Sequence, residues 1–122
     1  MSKDPFTGQP HSGNAKVIAI TPAPELAGDE EPLIAAVSDI VDHQPDSIGA
    51  IISMAEVTMI TSAALNALVV LHKRFKGQGG PGVVLHSIVN NGVAAVFRAT
   101  QMGRLYKIVA TEEEALAVFK DT

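Results

Sequence analysis

The sequence predicts an α/β fold in which helices cover a largely parallel sheet. Three observations carry that expectation. Short runs rich in β-branched residues alternate four times with stretches whose apolar residues recur at helical spacing. The best-defined run, Ile48 to Met54, is continuously apolar, as expected of a central strand covered on both faces. Prolines, glycines and acidic residues punctuate the junctions between the two kinds of segment.

Residues 1–14 mix Pro, Gly, Ser, Asn and His with almost no apolar content, so a disordered arm is expected there. The stretch KDPFT within it has the look of vector-derived sequence. The folded domain is expected over 15–120. Val17, Ile18, Ala19 and Ile20 predict a first strand, ended by Pro22 and Pro24, which interrupt a regular ladder. Pro32 suits the first position of a helix that carries Leu33, Val37, Ile40 and Val41 on one face and stops before Pro45. After the central strand, a helix opens near Thr61 and Ser62 and runs to about Phe75. Its first half is apolar nearly all round and its second half is basic, which suits the negative end of the helix dipole.

Val83 to Leu85 predict another strand. Val93, Val96, Phe97 and Thr100 mark a third helix, and Leu105 to Val109 a short last strand. Thr111 with Glu114 forms a capping box: the Thr111 hydroxyl accepts from the amide three residues on, and Glu114 reaches back. It opens a final helix burying Ala115, Leu116 and Phe119.

Length and composition restrict function. A chain of 122 residues, 47% apolar, builds one core and is too short for two ordinary domains. Without cysteine there are no disulfides and no thiolate zinc site, and the composition suits a reducing cytoplasm. The longest apolar runs, such as Ala67 to Leu71, fall far short of the roughly 18 residues of a membrane span. The N-terminus lacks the apolar stretch of a signal peptide. A formal charge of −4 argues against direct nucleic-acid binding. The basic groups Lys73, Arg74, Lys76 and Arg98, Arg104, Lys107 read as solvated faces.

Enzyme signals are weak. The glycines of GQGGPG follow a helix and precede a strand, whereas a phosphate cradle follows a strand and opens a helix. Helix termination explains them. The four histidines, His11, His43, His72 and His86, show no metal spacing, and His72 sits near a helix end, where an imidazolium is favoured. A nucleophilic Ser62 needs a base within about 3 Å, yet His72 is ten residues further along the same helix, about 15 Å away. His43 and His86 are not excluded as its base on that ground. No nucleophile-elbow pattern surrounds Ser62. Glu25, Asp29, Glu30 and Glu31 read as a solvated loop and helix start, with a partner surface as the alternative.

From Ala15 to Phe119 the chain resembles a STAS domain of the bacterial anti-sigma factor antagonist family. KVIAITPAPEL stands where these proteins have a strand and a loop ending in an acidic residue, here Glu25, and a leucine, here Leu26. IISMAEVTMITSAALNALVVLHKRFKGQGGPGVVL follows the family's run of buried strand, hydroxyl-bearing helix start, basic exit, glycine turn and strand. VAAVFRATQMGRLYKIVATEEEAL resembles its third helix, last strand and acidic-capped helix. The resemblance implies a single STAS-like domain with a four- to five-stranded mixed sheet flanked by about four helices.

The family's central motif is Asp-Ser-Ser-Gly-Leu or Ser-Ser-Ala-Gly-Leu, and this chain has Thr61, Ser62, Ala63, Ala64 and Leu65. By the resemblance, Ser62 falls on the phosphate-accepting serine, Thr61 on the residue before it, and Ala64 replaces the glycine. A methyl group at Ala64 is expected to retune docking, because glycine lets a second backbone approach.

The implied role is that of an anti-sigma factor antagonist without catalysis or cofactor of its own. Its partners would be an anti-sigma factor with serine kinase activity and a phosphoserine phosphatase, with Glu25, Thr61, Ser62, Ala63, Ala64 and Leu65 at the partner surface. The alternative within the same fold is a non-cycling scaffold of a sensory assembly or an accessory subunit of a transport system. The resemblance implies no metal and no membrane association.

Overall fold

The computed structural model describes residues 6–11, 14–26, 29–77, 79–101, 105 and 107–119. Lys3 to Pro5, Gln78, Arg104 and Lys120, which entered the sequence reading, lie outside the described residues. The elements in order are β1 (Phe6–His11), β2 (Asn14–Pro22), β3 (Glu25–Leu26), α1 (Glu30–Asp42), β4 (Gly49–Ser53), β5 (Met59–Ile60), α2 (Ser62–Gly77), β6 (Gly82–His86), α3 (Asn91–Thr100), β7 (Lys107–Val109) and α4 (Glu112–Val118).

A five-stranded sheet has the order β1-β2-β4-β6-β7, with β1 antiparallel to β2 and every other pair parallel. The sheet is therefore mixed, as the resemblance implied. The central strand β4 is flanked on both sides and buried from Gly49 to Ile52. Strand alternation divides the apolar residues between two layers. Ile18, Ile20, Ala50, Ile52, Val83 and Leu85 face the main core with α1, α2 and α3. Val17, Ile51 and Val84 face Ala115 and Phe119, which α4 brings to the opposite side.

Three expectations need correction. Phe6–His11, placed in a disordered arm, form the edge strand β1. Its composition offers little burial, but Phe6 is buried and the strand pairs along β2, so cross-strand bonding supplies what hydrophobicity does not. Helix α1 starts two residues before the expected position, so Pro32 is its third residue rather than its first. The amide that proline lacks there is one of the four a helix start leaves without an intrahelical acceptor. The last strand is shorter than expected, starting at Lys107.

The glycine cluster ends α2 as the sequence suggested. The amides of Gly79 and Gly80 donate to the carbonyls of Lys76 and Phe75 at 3.0 and 3.1 Å. Thr111 caps α4 as expected, its hydroxyl accepting the Glu114 amide at 3.2 Å, while the Glu114 carboxylate reaches back to the amide of Ala110, one residue before the cap, at 3.4 Å.

Candidate functional site

Strands β2, β4 and β6 all run toward the same end of the sheet, where the starts of α1, α2 and α3 gather. Such an end is where open α/β sheets bind their ligands. Here a second, two-stranded sheet marks it. β3 pairs in parallel with β5, matching Glu25 with Met59 and Leu26 with Ile60. The amides of Thr58 and Met59 also donate to the Pro24 carbonyl, at 2.8 and 3.4 Å. These bonds carry the acidic loop after β2 to the threshold of α2.

Thr61 is the cap of α2. Its hydroxyl accepts from the Ala64 amide at 3.3 Å and its carbonyl from the Leu65 amide at 3.0 Å. Ser62 is then the first helical residue, and its side chain is exposed. The amides of this first turn point outward along the axis, at the positive end of the helix dipole. One turn on, Asn66 donates to the Glu30 carboxylate at the start of α1. At the far ends of the same two helices, Arg74 donates to the Asp42 carboxylate. Helices α1 and α2 therefore run side by side in the same direction, and their N-terminal turns sit together.

The six residues expected at a partner surface separate into two groups. Glu25, Thr61, Ser62 and Ala63 are at least partly accessible. Ala64 and Leu65 are 0% and 1% exposed and belong to the main core. The Ala64 methyl group therefore faces inward, which corrects the expectation that it meets a docking backbone.

The sequence reading passed over two exposed apolar residues at this end of the sheet. Met59, on β5, is 43% exposed, and Val89, in the loop between β6 and α3, is 70% exposed. Helix α3 packs against β5, so the two belong to neighbouring segments. Nothing in local periodicity distinguishes an apolar side chain held outward from one held inward.

Each histidine has a partner other than Ser62. His72 accepts a hydrogen bond at Nδ1 from the Val83 amide at 3.0 Å, so its ring is neutral there. Burial, with the Lys76 charge adding to it, lowers its pKa. The expectation of a favoured imidazolium at the helix end is thus reversed, because desolvation outweighs the dipole. His86 lies beside Ser87, and His43 bonds the Asp39 carbonyl through Nδ1 at 2.8 Å. His11 pairs with Glu112 at 2.8 Å. Among the described residues no group of three or more His, Asp or Glu side chains is arranged to hold a metal, and no helix is long and apolar enough to cross a membrane.

The fold matches solved structures along nearly its whole length. An NMR structure of the protein TM1081 is similar at a TM-score of 0.76, with 23% identity over 98% of this chain and 91% of that one. A crystal structure of the Thermotoga maritima protein, described there as a candidate anti-sigma factor antagonist, gives 0.75 and 23% over 94% of each chain. The anti-sigma factor antagonist SpoIIAA in its unphosphorylated form gives 0.72 and 18% over 95% of this chain and 98% of that one. SpoIIAA of Bacillus in the phosphorylated form gives 0.58 and 18%, over 91% and 97%. No family model matches the sequence, and no curated protein does. The fold of this chain is the STAS-like fold of the anti-sigma factor antagonists.

Proposed function

We propose that this protein is an anti-sigma factor antagonist, a cytoplasmic binding module that works by partner switching and has no catalysis of its own. The observation that carries the reading is an exposed Ser62 at the first position of α2, in a fold shared with antagonists solved in unphosphorylated and phosphorylated forms. Its partner would be an anti-sigma factor with serine kinase activity, docking across Glu25, Met59, Thr61, Ser62 and Val89. Modification of Ser62 would end the contact, and a phosphatase would restore it.

The physics of the position supports such a switch. A phosphate on Ser62 meets the unsatisfied amides and the positive dipole of its own helix, so the domain tolerates it. The cost falls on the docked partner. Phosphoserine adds about −1.5 to −2 charges at neutral pH. One like-charge contact at 4 Å then costs about 4 kcal/mol at an effective dielectric of 20, nearly three decades of affinity.

Incubation with a cognate kinase and ATP, followed by intact-mass measurement, tests this. The wild type should gain one phosphate and Ser62→Ala none. Modification at another residue, or equal modification of Ser62→Ala, removes Ser62 from the role.

One observation favours a second reading, a STAS module that does not cycle through phosphorylation. Where both forms of the family motif have glycine, this chain has Ala64. A scaffold of a sensory assembly or an accessory subunit of a transporter would co-purify with large assemblies or membrane components, and Ser62→Asp would leave that association unchanged.

A further inference from the structure

The loop between β6 and α3 is fixed at both ends and bare in the middle. At its start Ser87 has a φ of 61°, in the left-handed region that residues with a Cβ rarely adopt. Two contacts hold it there: its amide donates to the Ala110 carbonyl at 3.3 Å, and its hydroxyl lies 2.8 Å from Nδ1 of His86. At the far end the Asn90 side chain caps α3 by accepting the Val93 amide at 3.0 Å. Between these fixed points stands Val89, the most exposed large apolar residue among those described.

His86 is 4% exposed and is one of two buried polar residues among those described, the other being Ser47. Val83 and Leu85 face the main core, so alternation along β6 turns His86 toward α4. Two charged or titratable groups act on it from that side. Glu112 comes from the first turn of α4 and His11 from the end of β1, and they pair with each other at 2.8 Å. Its neighbours within the sheet, Ser53 on β4 and Val109 on β7, carry no charge.

We propose that His86 and Ser87 are positioning residues that form a proton-sensitive latch holding Val89 outward for docking. The docking role rests on the function proposed above, but the latch itself is open to test without a partner. With a neutral ring, His86 and the Ser87 hydroxyl satisfy one another with no buried charge. A second ring proton places an imidazolium where little water reaches it. The ring escapes that penalty by turning outward, and the strained backbone of Ser87 loses its side-chain anchor. Burial is the largest influence on the ring and lowers its pKa below the ordinary 6.5, with Glu112 opposing and His11 adding to the shift. The latch is therefore closed near neutral pH and opens in acid.

The test is a pH titration of the isolated protein, from about pH 8 to about pH 5, followed by amide and imidazole NMR. The amides of Ser87, Ile88 and Val89 should shift together with the His86 ring, at a midpoint below 6.5. In His86→Gln that shared titration should vanish, and in Ser87→Ala the ring should still titrate while the Val89 response shrinks. Loop amides that stay flat while the ring titrates overturn the latch. So does a loop titration that persists undiminished in His86→Gln. Should His86→Gln not fold, an undiminished Val89 response in Ser87→Ala is sufficient to overturn it. Unchanged partner affinity in Val89→Ala overturns the docking half of the proposal, whereas failure of wild type to bind any anti-sigma kinase overturns the functional reading beneath it.

Discussion

The Val83 amide, the first after Gly82, donates a 3.0 Å hydrogen bond to Nδ1 of His72 on the helix before it. The contact depends on Gly82, whose φ of +95° is open to glycine and whose missing Cβ leaves room for the His72 ring. Gly79 provides a control, because its φ is +86° but nothing lies within 4 Å of an added Cβ. Gly79→Ala should cost only the left-handed backbone penalty, about 1–2 kcal/mol. Gly82→Ala should cost clearly more, since it also displaces the ring and leaves a buried amide without its acceptor. Urea denaturation midpoints of the two variants compare them directly, and equal losses would refute the cradle.

Acid should weaken the fold in a defined window. His72 and His86 both have folded pKa values lowered by burial below the ordinary 6.5. Above 6.5 both rings are neutral whether the chain is folded or unfolded, so they leave stability unchanged. As pH falls below 6.5 the unfolded chain takes up protons first, and stability declines until the folded values are passed. His43 works the other way, because its bond to the Asp39 carbonyl, helped by the Asp39 charge, raises its pKa. That ring is fully solvated, so salt and water screen its effect. Denaturation midpoints measured down the pH scale should therefore fall, and His72→Gln should flatten the slope. A flat wild-type profile would contradict the burial argument.

Thr61 and Ser62 should separate cleanly as cap and surface hydroxyl. Thr61→Ala removes the acceptor of the Ala64 amide and should cost about 0.5–2 kcal/mol. Ser62→Ala trims an exposed side chain and should stay within about 0.5 kcal/mol of wild type. Thermal melts of the two variants distinguish the roles. A large loss in Ser62→Ala would make it unsuitable as a control for phosphorylation.

Much of the fold was legible because its signals are local. β-branched runs marked β2, β4 and β6, and the Thr111–Glu114 spacing marked the start of α4. What escaped was held by distant partners. β3 and β5 are two residues each, too short for any period, and exist through the pairing of Glu25 with Met59 and Leu26 with Ile60. β1 offers a single buried apolar residue, Phe6, and is fixed by β2. The lowered pKa of His72 was not legible, because the burial that lowers it comes from packing of the folded chain and not from its place on the helix. In the site, the hydroxyl pair was legible from its place before a helix. The exposure of Met59 and Val89 was not, since it depends on which neighbours leave them uncovered.

Ala64 gives the sharpest test of how the site departs from the family motif. Glycine stands here in the motif, which invites the view that the methyl group hinders a partner. In this fold Ala64 is wholly buried among α2 and the main core, so the methyl group contributes packing instead. Ala64→Gly should lose about 1–2 kcal/mol, combining the helical cost of glycine with one buried methyl group. Affinity for an anti-sigma kinase should stay unchanged, because the altered atom does not reach the surface. Calorimetric titration beside a denaturation curve separates the two effects. Tighter binding by Ala64→Gly would mean that the start of α2 moves when the partner docks, bringing a residue now in the core into the interface.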